Sequence, residues 1–301
     1  FSVFFLLILS TLILAHPSLG KSIDPNGEIS QSPPFEILYS ETLPEAALQS
    51  LERPSNDQFS NSSFFTWSFE AFGKLFLVSL EPNSRLIAKV PTQKRAHIQQ
   101  KLKFYRGTLE GIPGSWVRLT RIGGQWSGMI WDGQEAYIID PMSVIASALR
   151  TAPTQTPLGH TIYRLSDTKD LGTRTCGLGG SGGMPTHPMT SFGALIEELQ
   201  DRVGVAAQGA TRNIDMTVVT DQQFNNANAD PDAAVIARMN VVDGIFTEQL
   251  SVQISLVDVL PLQSNGGLTS TDAFTLLDQF GNFTSSSSFN HPGLAHLFRA
   301  C

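Results

Sequence analysis

The residues of this 301-residue chain whose types and spacing could do chemistry crowd into positions 174 to 183, R-T-C-G-L-G-G-S-G-G. Three patterns overlap there. G-x-G-x-x-G runs from Gly177 to Gly182. A phosphate-cradling loop of that kind needs a strand directly before its first glycine, a helix opening at its last, and an acidic ribose partner about 20 residues on. Thr173-Arg174-Thr175 before it and Met184-Pro185-Thr186 after it supply none of these. G-x-S-x-G runs from Gly179 to Gly183 and would make Ser181 a nucleophile on a strained strand-to-helix turn, with an acid and then a histidine following. Ser181 instead lies between glycine pairs in a Gly, Pro, Met and Thr connector, which cannot hold an oxyanion hole rigid. The third feature is the thiol of Cys176. A thiolate is a good zinc ligand, and zinc bound to it keeps no free position for water. Cys301 is the other cysteine of the chain, and one structural disulfide between the two is the open alternative.

The elements that would position this thiol are legible as alternation and turn chemistry. Residues 21 to 60, rich in Pro, Ser, Asn and Glu, read as a mostly loose leader. Residues 63 to 140 read as a β-meander. Phe65, Trp67 and Phe69 alternate with polar positions, and Leu75, Leu77 and Leu80 follow a Gly73-Lys74 turn. Glu81 to Ser84 is another turn, after which Leu86-Ile87 starts a further strand. Ser115 to Leu119 alternates, Gly123-Gly124 turns the chain, and Trp126 to Trp131 returns. Asp132-Gly133 is a hairpin signal before Ala136 to Ile139. The aromatic residues of this region read as core.

Residues 140 to 160 hold room for a short helix and a Thr/Pro loop, and 192 to 203 for a short amphipathic helix through Leu195, Leu199 and Val203. After Gly209 the pattern changes. Ile214 to Val219 is a β-run, and Asp230-Pro231 caps and opens a helix. Val235, Met239, Val242, Phe246 and Leu250 lie on one face of that helix. Val252 to Leu260 is a second β-run, and Thr269 to Phe274 opens a helix reaching about Phe280. Strand, helix, strand, helix predicts an α/β layer with parallel pairing. The fold class is therefore α+β overall, a β-rich domain followed by the first part of an α/β domain.

The bulk composition narrows the partners. The net charge is -7, and no basic block exists for nucleic acid. Residues 1 to 20 are uncharged, with an apolar run from Val3 to Ala15 and a small-x-small site at Ser18-Leu19-Gly20. They read as a secretory signal peptide rather than a membrane anchor. The expected location is secreted and extracellular, or periplasmic or cell-surface in a bacterium. Asn61 and Asn282 sit in N-glycosylation acceptor patterns for a eukaryotic secretory pathway. Asp221, Asp230, Asp232 and Asp243 are acidic and numerous enough for a calcium site. Without a regular Asp-x-Asp-x-Asp-Gly loop they read as helix caps and surface charge.

Several segments in order resemble the reprolysin-like (adamalysin-like) metzincin metallopeptidases, as secreted precursors. Tyr105 to Leu119 and Gly128 to Ile139 are similar to the family's propeptide, and Arg174-Thr-Cys-Gly-Leu to its cysteine switch. Arg212 to Phe224 resembles the first catalytic-domain strand, Asn240 to Phe246 the first helix, Val252 to Leu256 the second strand, and Ala295 to Phe298 the entry to the third. The resemblance implies a signal peptide at 1–20, a propeptide at 21–176, a flexible connector at 177–210 and the N-terminal part of a zincin-like peptidase domain at 211–301. It implies zinc as the family's cofactor, a peptide or protein substrate, and Cys176 as an inhibitory zinc ligand. The family's H-E-x-x-H-x-x-G-x-x-H site is absent from this sequence, whose histidines stand at 16, 97, 160, 187, 291 and 296. His291 and His296 are five apart, do not share a helix face, and read as loop or surface residues. The expectation is a truncated precursor, inactive as given. The rival readings are a propeptide-type protein that inhibits or helps fold a related protease in trans through Cys176, and a β-domain of an adhesion or matrix protein with no metal.

Overall fold

The computed structural model describes residues 22–23, 29–30, 35–52, 64–150, 159–171, 212–286, 289 and 293–299. Alternating apolar residues and glycine turns build the first region, as the sequence predicts. Strands β3 (Phe35–Ile37) and β4 (Glu41–Leu43) precede helix α1 (Glu45–Glu52). There follow β5 (Phe65–Ala71), β6 (Lys74–Pro82), helix α2 (Thr92–Lys101) and β7 (Leu102–Leu109). The run continues with β8 (Trp116–Ile122), β9 (Gln125–Trp131), β10 (Ala136–Pro141), the short α3 (Met142–Ile145) and β11 (His160–Arg164). Eight of these strands form one antiparallel sheet in the order β4-β11-β10-β9-β8-β7-β6-β5. The β8–β9 turn is Gly123-Gly124 with φ of 57° and 87°, the left-handed pair that a tight hairpin between twisted strands requires. Two further antiparallel pairs are β1 (Ser22–Ile23) with β2 (Ile29–Ser30), and β12 (Thr168–Asp170) with β3.

Two expectations for this region fail. The stretch read as a loose leader contributes β4 and α1, whose Leu43, Leu48 and Leu51 are buried. Leu86-Ile87 lies in a 3-10 turn (Ser84–Ile87) rather than a strand. Both side chains enter the core together, which successive residues of a strand on one sheet face cannot do. Helix α2 escapes the apolar pattern because Ile98 is its one buried residue.

The second region is the expected α/β layer. Strand β13 (Arg212–Thr220) pairs in parallel with β14 (Val252–Pro261) on one side and β15 (Leu294–Phe298) on the other. Helix α4 (Gln222–Ala227) follows β13, helix α5 (Pro231–Leu250) leads to β14, and helix α6 (Ala273–Thr284) leads towards β15. Asp230 caps α5 by accepting from Ala233 N, with Pro231 in the first turn. Asp272 caps α6 by accepting from Thr275 N.

The two regions share one core. Helix α5 packs on β14 with one face and across β7, β8 and β9 with the other. Trp116, Met129 and Trp131 of the eight-stranded sheet join Met216, Val218, Ile254 and Leu256 of the parallel sheet around it. Strand β8 is buried on both faces: Trp116 faces α5, while Val117 and Leu119 enter the opposite core with Trp67, Phe69 and Ile130. Among the described residues, no helix is long and apolar enough to cross a membrane.

Candidate functional site

Where α5 lies on the eight-stranded sheet, its buried face is polar. Every residue from Arg238 to Phe246 is buried, including Asn240 and Asp243. A buried carboxylate needs charge partners and hydrogen bonds to offset its lost hydration. Asp243 has both. Arg85 Nη2 donates to its two oxygens at 2.8 and 2.7 Å, and Asn83 Nδ2 donates to Oδ2 at 3.3 Å. Thr247 Oγ1 and the backbone N of Ile254 each donate to Oδ1 at 3.2 Å. Arg118 Nη2 stands 3.5 Å from Asp243 Oδ2 and 3.6 Å from Glu248 Oε1. Burial lowers the Arg118 pKa from its ordinary value, against the raising pull of Asp243 and Glu248. That arginine is held inside the protein by its acidic neighbours.

One turn earlier, Asn240 uses its whole amide. Its Oδ1 accepts from Asn83 Nδ2 at 2.8 Å. Its Nδ2 donates to Leu119 O at 3.1 Å, Thr120 Oγ1 at 3.2 Å and Tyr105 O at 3.3 Å. Gly244 completes the face. A Cβ there would stand 2.7 Å from Arg118 Cγ and 3.0 Å from the Trp116 ring, so the helix sits against β8 only because this residue lacks one.

Around this clasp runs a rim of opposite charges. Lys89 Nζ reaches Asp215 at 2.6 Å, Lys94 reaches Asp258 at 3.0 Å, and Lys101 reaches Asp230 at 2.8 Å. The cations all come from the 3-10 turn and α2 side, and the carboxylates from the parallel layer. Lys89 and Lys101 are about half exposed, so solvent screens these pairs and each adds little to stability.

The residues predicted from sequence are placed elsewhere or lie outside the described residues. Cys176, Cys301, Asn61, the signal segment, the 177–210 connector, the 192–203 helix and His291 are among the latter. Asn282 is exposed on the last turn of α6. Asp221 and Asp230 are helix caps, as read. Asp221 is also buried, with Arg299 Nε at 3.3 Å, and Asp243 is no surface charge but the centre of the clasp. His296 corrects a second expectation. It is a buried residue of β15, its ring edge-on to Phe298 at 4.9 Å, and burial pushes its pKa down to about 4. His160 accepts a hydrogen bond from Trp126 N at 2.7 Å, and burial lowers its pKa.

Asn83, Arg85, Arg118 and Asn240 escaped the sequence reading. Their signal was present as two polar residues, Asn240 and Asp243, inside the otherwise apolar run Met239 to Phe246. A helix apolar on both sides is buried on both sides, and polar residues within it must find partners.

No protein-family model matches the chain. Among solved structures it is similar to metalloproteinase-II from Bacteroides fragilis, at 8% identity and a TM-score of 0.34. That alignment covers 81% of this chain and 65% of the other, so the chain spans less than two thirds of that protein's length. Among the described residues, no group of three or more His, Cys, Asp or Glu side chains is placed to hold a metal ion.

Proposed function

We propose that this chain belongs to the precursor of a secreted zinc metalloendopeptidase. The β-rich body is its propeptide and the parallel layer the first part of its catalytic domain. One observation carries the reading. Helix α5, whose Asn240 to Phe246 segment bears the resemblance to the peptidase's first helix, is the element that the body clasps through Asp243. In this role the body binds and orients the layer, and the Cys176 thiolate supplies a sulfur ligand to the zinc of an intact catalytic domain. The sequence contains no H-E-x-x-H, so this chain by itself cleaves no peptide bond. The chain is exported, with cleavage of the signal after Gly20.

The same clasp supports a second reading, a binding protein that holds a related protease in trans. Both are tested by adding the purified chain to an active zinc metalloendopeptidase of the resembled family. Inhibition is expected, and Cys176→Ala should weaken it at least about tenfold through the lost metal ligand. Unchanged inhibition by Cys176→Ala would remove the thiol from the contact. Chelator-sensitive proteolysis by the chain alone would overturn the claim that it is not itself a peptidase.

A further inference from the structure

Resting on the reading of the β-rich body as a holding module, we infer that the body selects its partner by one helix face. That face is Asn-x-x-Asp-Gly, here Asn240, Asp243 and Gly244, and its sockets hold the parallel layer without chain continuity between the two. The partner is thus an α/β layer bearing this face, whether in the same chain or on another.

Each of the three positions meets a socket that one residue type satisfies. At Asn240 the site offers a donor, Asn83 Nδ2, and two backbone carbonyls, Tyr105 O and Leu119 O, that accept from the side-chain amide. Only an amide supplies both. An aspartate would face the two carbonyls with oxygen, and an apolar residue would take from the buried Asn83 amide the nearer of its two acceptors, leaving Asp243 Oδ2 at 3.3 Å. At Asp243 two arginines and an asparagine converge on one carboxylate. An asparagine there would leave Arg118, of which 1% of the side chain is exposed, without its nearest full counter-charge. At Gly244 the Trp116 ring and Arg118 stem occupy the space of any side chain.

The sockets come from β7, β8 and the start of the 3-10 turn, more than a hundred residues before the helix they hold. None of these contacts is local, so none needs the chain to be continuous between residues 171 and 212. The lysine rim has a different part. Complementary exposed charges hasten encounter and set its salt dependence, while buried, hydrogen-bonded pairs set dissociation and selectivity. The clasp chooses the partner, and the rim steers it.

The test uses the full chain with a site-specific protease sequence placed between residues 171 and 212. The chain is cut, and association of the two pieces is measured by gel filtration and by dissociation rate. The native pieces should stay together after cutting. Arg85→Met or Asp243→Leu alone should weaken association on the order of 100-fold or more, because each strands a buried partner. The double variant should bind about tenfold more tightly than Asp243→Leu alone, since Arg85 is no longer stranded, and stay weaker than the native pieces, because Arg118 still lacks its nearest counter-charge. Asn240→Asp, nearly isosteric, and Gly244→Ala keep the test usable if a larger change prevents folding, which circular dichroism of the uncut chain would show. Each should weaken association about tenfold or more. Replacing Lys89, Lys94 and Lys101 together by alanine should lower the salt dependence but cost less than any clasp variant. Separation of the native pieces on cutting overturns the inference. So do clasp variants that bind as tightly as the native chain, or a rim triple variant that loses more than they do. The measurement involves neither zinc, Cys176 nor proteolysis, so its failure leaves the peptidase-precursor reading standing, and failure of the thiol test leaves the clasp standing.

Discussion

Helices α5 and α6 do the same topological work, each linking one parallel strand to the next, yet they are built differently. Helix α6 is a one-sided helix. Among its described side chains Phe280 alone is buried, where it joins Val219 and Leu268, and Phe274 is 58% exposed. Helix α5 is covered on both faces, by β14 and by the eight-stranded sheet. Its apolar residues enter the core shared by the two sheets, and its Asn240–Asp243–Gly244 face meets the body group by group. The difference teaches where the specificity of the assembly resides. An amphipathic helix needs only apolar residues at the right spacing, whereas a helix shared by two sheets must also match a second surface group by group.

The comparison can be broken most decisively at Asp243. Asp243→Ala should destabilise the full chain by about 3–5 kcal/mol, because Arg85 and Arg118 lose their buried counter-charge. Asp278→Ala, on the exposed side of α6, should stay within about 0.5 kcal/mol. Chemical denaturation measures both, and equal costs would erase the distinction between the helices.

Acid tests the layer beyond α5. The folded-state pKa of His296 lies at about 4, below the ordinary histidine value, so the unfolded chain binds the extra proton first. This contribution is fully present above about pH 6.5 and is lost as pH falls towards 4, amounting to about 3 kcal/mol. His160 acts in the same direction. A His296→Gln chain should show a flatter stability profile between pH 6.5 and 4, and an unchanged profile would place the acid sensitivity elsewhere.

Two glycine substitutions should sharpen the contrast by opposite signs. Gly244→Ala should cost about 1–3 kcal/mol, since Trp116 and Arg118 fill the space. Gly281→Ala in α6 meets nothing within 4 Å and should stabilise by about 0.4–1 kcal/mol, through a better helix former and a less free unfolded chain. Thermal unfolding of the two variants reads the sign directly. The smallest effect is expected at the rim. Lys89→Ala should cost about 1 kcal/mol or less, and that cost should vanish at high salt.

Much of the fold was legible because it rests on local rules. The Gly123-Gly124 hairpin, the Asp230-Pro231 helix start and the parallel pairing of β13 with β14 each follow from a few adjacent residues or one period. Helix α2 was not legible, because a polar helix with Ile98 as its one buried residue carries no apolar period. Strand β4 was hidden for a different reason: three residues are too short for alternation, and its pairing with β11 joins Leu43 to His160. His296 sits in a strand whose two faces are both covered, so the usual alternation of buried and exposed positions is lost there.

The candidate site shows the same division at finer scale. Sequence alone determined that α5 is a helix, where it starts and which residues form its apolar stripe, since backbone capping and 3.6-residue periodicity are local properties. It also determined that Asn240 and Asp243 are polar residues in an apolar run. Only the tertiary structure decided that Asn83, Arg85 and Arg118 converge on them. A buried ion pair is set by which two surfaces meet, and those surfaces come from residues more than a hundred positions apart, with no period or spacing to link them.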